Sequence, residues 1–95
     1  MNVSIDELRA VSTKLIDHLE SLGVTAVEIE DDYYWMFPRD QLYNPSLSTP
    51  NPSLGQLTDD WDELQMINRG ERPPVAIALS WLAAVMRAVG ERVLG

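Results

Sequence analysis

The chain contains no cysteine. That excludes disulfide staples, thiolate nucleophiles and cysteine-ligated zinc, and it fits a reducing compartment, so a cytoplasmic location is the expectation. Histidine is nearly as scarce, with His18 alone. It stands beside Asp17 in a helical segment, where sequence neighbours point to different sides, so the two do not form a dyad. Nothing marks a serine and an acid to complete a triad, and no catalytic residue is assigned. Basic residues number seven against fifteen acids, giving a formal net charge of −8. A phosphate backbone or an anionic lipid surface would be repelled, which argues against nucleic acid and membrane partners. A charged protein partner is expected to be basic. The five glycines build neither G-x-x-x-x-G-K-[ST] nor G-x-G-x-x-G, so no phosphate cradle is present and no cofactor is expected. The longest apolar run, Val75 to Val89, is too short to span a bilayer and carries Arg87. The opening MNVSIDELRA lacks the basic-then-apolar layout of a secretion signal.

What is present describes one folded domain over residues 1–95, at 45% hydrophobic and 23% charged. Ser4 and Glu7 form an S-x-x-E capping box, with Asp6 and Glu7 at the positive end of a helix. Ile5, Leu8, Val11, Leu15, Ile16, Leu19 and Leu22 fall in one arc, so residues 5 to 22 are expected as a surface helix with one buried face. Gly23 and Val24 supply a Schellman stop. From Thr58, a candidate N-cap, a second helix is expected, with Asp59, Asp60, Asp62 and Glu63 crowding its first turn and Gly70 ending it. Leu57, Trp61, Leu64 and Ile67 supply its buried side. Pro73-Pro74 is expected to open a third helix, whose apolar arc is about twice a normal surface stripe. Such a helix is central, or it meets another chain. Ala76, Ser80, Ala84 and Ala88 recur every four residues and form a ridge that a neighbouring helix can approach closely; it is the candidate dimer seam.

Between the first two helices lies EIEDDYYWMFPRDQLYNP, residues 28 to 45, which holds five of the chain's seven aromatics. VTAVEIE and YYWMF are expected as two strands of a hairpin, with LGQLT at 54 to 58 as a possible third strand and NPSLSTPNPS as a loop. An even Asp31-Asp32 loop would place Tyr33, Trp35 and Phe37 with Glu28 and Glu30, away from the aliphatics. An odd loop of residues 30–32 pairs Ile29 with Tyr33, Val27 with Trp35 and Thr25 with Phe37. The burial of large side chains, about 1.5–3 kcal/mol each, selects the odd loop. Glu28, Tyr34, Met36 and Tyr43 then remain as the candidate partner-binding patch.

Two acidic clusters, Glu28/Glu30/Asp31/Asp32 and Asp59/Asp60/Asp62/Glu63, are oxygen-only sets of the kind that suit magnesium, manganese or calcium. Neither has the spaced D-x-D-x-D-G calcium pattern, and no metal is assigned. Arg69 and Arg72 flank Gly70 at a helix C-terminus, where positive charge is favoured.

Tyr34-Trp35, Gly55-Gln56-Leu57, Asp59-Asp60 and Leu64 together resemble a group of small bacterial proteins with a YW…GxLxDD layout, over roughly residues 33 to 90. No activity follows from that resemblance. In size and charge the chain also resembles small acidic immunity-type proteins, which bind and neutralise a partner. The expected architecture is α+β: an N-terminal helix, an antiparallel hairpin or three-stranded sheet, and two C-terminal helices packed on one face. The expected function is a non-catalytic acidic protein-binding module, with a homodimer as its candidate assembly. The alternative is a small enzyme or accessory subunit in which both acidic clusters converge on a divalent metal.

Overall fold

A computed structural model describes residues 1–36 and 53–94, leaving aside the side chains of residues 35, 36 and 53. Among the described residues, three helices and a two-stranded antiparallel sheet follow one another as α1 (Ile5–Ser21), β1 (Tyr33–Met36), β2 (Ser53–Gln56), α2 (Leu57–Asn68) and α3 (Ala78–Leu94). The fold is α+β. Phe37, Tyr43 and residues 44 to 52 of the loop expected at 44 to 53 lie outside the described residues, and Ser53, its last residue, opens β2.

Local chemistry sets the helix ends. Ser4 is extended, and its hydroxyl accepts a hydrogen bond from the Glu7 N–H at 3.3 Å. At the other end of α1 the Gly23 N–H donates to the Glu20 carbonyl and the Val24 N–H to the Leu19 carbonyl. These are the two bonds of a Schellman motif, and Gly23 sits at φ +83°. The end of α2 repeats the device. The Gly70 N–H donates to the Ile67 carbonyl, the Glu71 N–H donates to the Met66 carbonyl, and Gly70 has φ +77°.

The strand pairing differs from the expected hairpin. Tyr33 pairs with Gln56, Tyr34 with Gly55, Trp35 with Leu54 and Met36 with Ser53. The partner of β1 is therefore the segment at 53–56, not VTAVEIE, and residues 24–32 run without strand structure. The odd-loop register and its pairs do not form. Tyr33, placed inward by that register, is 61% exposed, while Tyr34, placed outward, is half-buried. An Asp-Asp turn without glycine is a poor hairpin closure, and a partner further along the chain replaces it.

Two helix starts also move. α2 begins at Leu57, one residue before the expected cap, and its N-cap position is Gln56, which makes no side-chain capping bond. α3 begins four residues after Pro74. Before it, the N–H groups of Ala78, Leu79 and Ser80 donate to the carbonyls of Val75, Ala76 and Ile77, a tight i→i−3 lead-in.

The core lies where α2 packs on α3. Leu57 and Ala78 are the buried apolar residues among those described, with Leu64, Met66, Ile67, Trp81, Leu82, Val85 and Val89 half-buried around them. The N-terminal helix corrects a further expectation. No residue of α1 is buried, and its apolar arc (Ile5, Leu8, Val11, Leu15, Ile16, Leu22) is open to solvent. The wide arc of α3 is likewise covered on one side only, with Leu79 and Met86 exposed.

Candidate functional site

The sheet and α2 are joined by side chains that are far apart in sequence. The Asp32 carboxylate accepts hydrogen bonds from the Thr58 N–H at 2.7 Å, the Thr58 hydroxyl at 2.7 Å and the Gln56 side-chain amide at 2.8 Å. Its own carbonyl accepts from the Leu57 N–H at 2.6 Å. An acid that sequence reading assigns to a turn thus caps the N-terminus of α2 from 26 residues away, where the helix dipole favours negative charge. The Thr58 hydroxyl bond, reinforced by Gln56 and the Thr58 N–H, holds the Asp32 carboxyl below the usual carboxylate range.

Next to this joint, the Tyr34 hydroxyl donates to the Asp60 carboxylate, and its ring lies across Gly55. A Cβ at position 55 would stand within 2.6 Å of the ring's Cε1 and Cε2 atoms. Glycine here is a requirement of close approach, since the aromatic ring covers the gap in the neighbouring strand. Burial, with the Asp60 bond and charge added, pushes the Tyr34 phenol up to about 12. Tyr34, Gly55, Leu57 and Asp60 all belong to the YW…GxLxDD spacing. The physical content of that spacing is a structural unit: ring over glycine, hydroxyl on the helix, leucine in the core.

Beyond the joint, α3 faces β1 across an open cleft of about 750 Å³. Ser80, Ala84 and Ala88 form one wall, with Arg87, Glu91 and Arg92 beside them. Ile29, Glu30, Asp31, Tyr33 and Tyr34 form the other. Sequence reading treats Tyr34 and the small-residue ridge as separate surfaces; here they line one cleft. Ala76 precedes α3 and lines a different hollow, with Leu64, Ile67 and Leu79. Glu28 is exposed on the segment that leads to the first cleft. Met36 and Tyr43 carry no described side chain. A second, more apolar cleft of about 760 Å³ opens where Ile16 and Leu19 of α1 face Val27, Ile29, Trp61 and Val85.

Members of the two acidic clusters are engaged by other partners. Asp32 caps α2, Asp60 holds Tyr34, and Glu63 pairs with Arg72. Among the described residues, no three acidic or histidine side chains gather where a metal could sit. Arg69, which caps the C-terminus of α2, engages Glu71 through two bonds of 3.2 Å. No described helix is long and apolar enough to cross a membrane. No protein-family model, curated protein or solved structure matches this chain.

Proposed function

We propose that this chain is a small, acidic, non-catalytic binding module of the cytoplasm, and that a basic protein partner docks a helix or loop into the cleft between α3 and β1. The observation that carries the reading is the pairing of walls. Ser80, Ala84 and Ala88 offer a floor low enough for a backbone to approach closely, and Tyr33 and Tyr34 stand opposite. Tyrosines suit that position because they combine apolar area with a polar tip. Glu28, Glu30 and Asp31 make the approach acidic, which together with the −8 net charge speeds encounter with a positively charged surface. Arg87 and Arg92 on the opposite wall offer pairing to an acidic residue of the partner and so set its orientation.

Affinity capture from a bacterial lysate tests this. The unmodified chain should retain a basic protein. Ala84→Trp, which fills the cleft, should lower its retention by about tenfold or more, equivalent to about 1.4 kcal/mol. Lys14→Ala, on the far side of α1, should leave it unchanged. Equal retention by all three chains, or none by any, defeats the proposal.

A further inference from the structure

We propose that a second copy of the chain covers the open face of α1, through an antiparallel helix pair about a two-fold axis. The exposed arc has an inner order that its breadth conceals. Ile5, Leu8, Leu15 and Leu22, all exposed, and Ser12 and Leu19, half-buried with Leu19 at the rim of the chain's own apolar cleft, are spaced 3-4-3-4-3, the a/d rhythm of a coiled-coil seam. That rhythm is self-complementary. When the helix is laid antiparallel on its own copy, Ile5 meets Leu22, Leu8 meets Leu19 and Ser12 meets Leu15, so each a position faces a d position and no seam residue is left over. A two-fold axis requires this self-matching of one patch with itself.

Two further properties fit a copy of the same chain. The first is charge. A protein of net charge −8 repels itself, yet every acid of α1 (Asp6, Glu7, Asp17 and Glu20) lies at the outer positions b, c and f. The positions flanking the seam hold Ser4, Arg9, Val11, Ile16 and His18, with no acid among them. Burying this face therefore brings no two carboxylates together. The second is area. Ile5, Leu8, Val11, Leu15, Ile16 and Leu22 are each 44–66% exposed. Together they offer roughly 600 Å² per chain and roughly 1,200 Å² per pair, above the roughly 1,000 Å² that a specific interface needs. No residue of α1 lines the cleft between α3 and β1, so the two surfaces are tested separately.

Light scattering after size exclusion, over a concentration series of the full chain, tests the pairing. The expected mass is twice that of one chain, falling to one on dilution. Leu15→Glu should weaken the association at least tenfold while leaving far-ultraviolet helix content unchanged, because Leu15 is 62% exposed within its own chain. The absence of native cysteine makes the orientation separately readable. An Ile5→Cys chain mixed with a Leu22→Cys chain should form a disulfide-linked pair on oxidation. Ile5→Cys alone should stay unlinked, since an antiparallel pair holds the two copies of residue 5 roughly 25 Å apart. A single-chain mass at every concentration, a dimer indifferent to Leu15→Glu, or efficient linking of Ile5→Cys to itself would each overturn the proposal.

Discussion

At the scale of single residues, Tyr34 and Asp32 bind strand to helix. The Tyr34 ring occupies the space above Gly55, so a methyl group there has nowhere to go. Gly55→Ala should cost about 1–3 kcal/mol in denaturant unfolding, the usual range for forced overpacking. Placed in a Tyr34→Ala background, the same change should cost much less, because the obstructing ring is gone; an equal cost in both backgrounds would refute the contact. Asp32 makes a prediction in pH. Its folded carboxyl is held below the ordinary value of about 3.9, so its stabilisation is complete above that value and is lost as pH falls through the lowered one. The gap in melting temperature between the natural chain and Asp32→Asn should be steady at neutral pH and narrow below about pH 4. A gap that does not change with pH would remove Asp32 from its capping role. Neither contact was legible in the sequence. The partners lie more than twenty residues apart, and a local window shows only two aspartates in a turn and a glycine that weakens a strand. The lone glycine was the one available signal, since a glycine inside a strand often marks a close approach.

At the scale of elements, the helix ends were legible because their chemistry is local. A capping serine acts on a backbone N–H three residues away, and a Schellman glycine closes bonds within its own turn. Two glycines should therefore respond in opposite directions to the same change. Gly70, at φ +77° with open space around a would-be Cβ, gains no contact and acquires left-handed strain; Gly70→Ala should destabilise by about 1–2 kcal/mol. Gly90 lies inside α3, also with open space, so Gly90→Ala should stabilise by about 0.5–1 kcal/mol. Thermal unfolding of both variants checks the pair of signs. The strands were harder to place because pairing is a non-local choice. The parity expected for YYWMF rests on the premise that its partner lies just before it. Once β2 becomes the partner, Tyr34 and not Tyr33 points toward the helical layer, since its hydroxyl has Asp60 to bond. Residues 33 to 36, within the expected strand YYWMF, do form a strand; its partner depends on non-local contacts with Gly55 and Asp60.

At the scale of the whole molecule, the described residues hold more apolar surface than their layers cover. α2 and α3 bury Leu57 and Ala78 between them, while α1 and one side of α3 remain open. The sequence showed this excess in the breadth of the α3 arc, but it could not show which helix would be left uncovered, because that depends on how the layers stack. We propose two uses for the open surface: a cleft for a partner and a helix face for a second copy. The cleft is the central claim, and one measurement addresses it directly. Ala84→Cys supplies the only thiol in the chain, and a photo-crosslinker attached there samples what enters the cleft. Irradiation in a cell lysate should join a basic protein to position 84 and not to a control label at position 14. Equal adducts from both positions, or none from position 84, would contradict it.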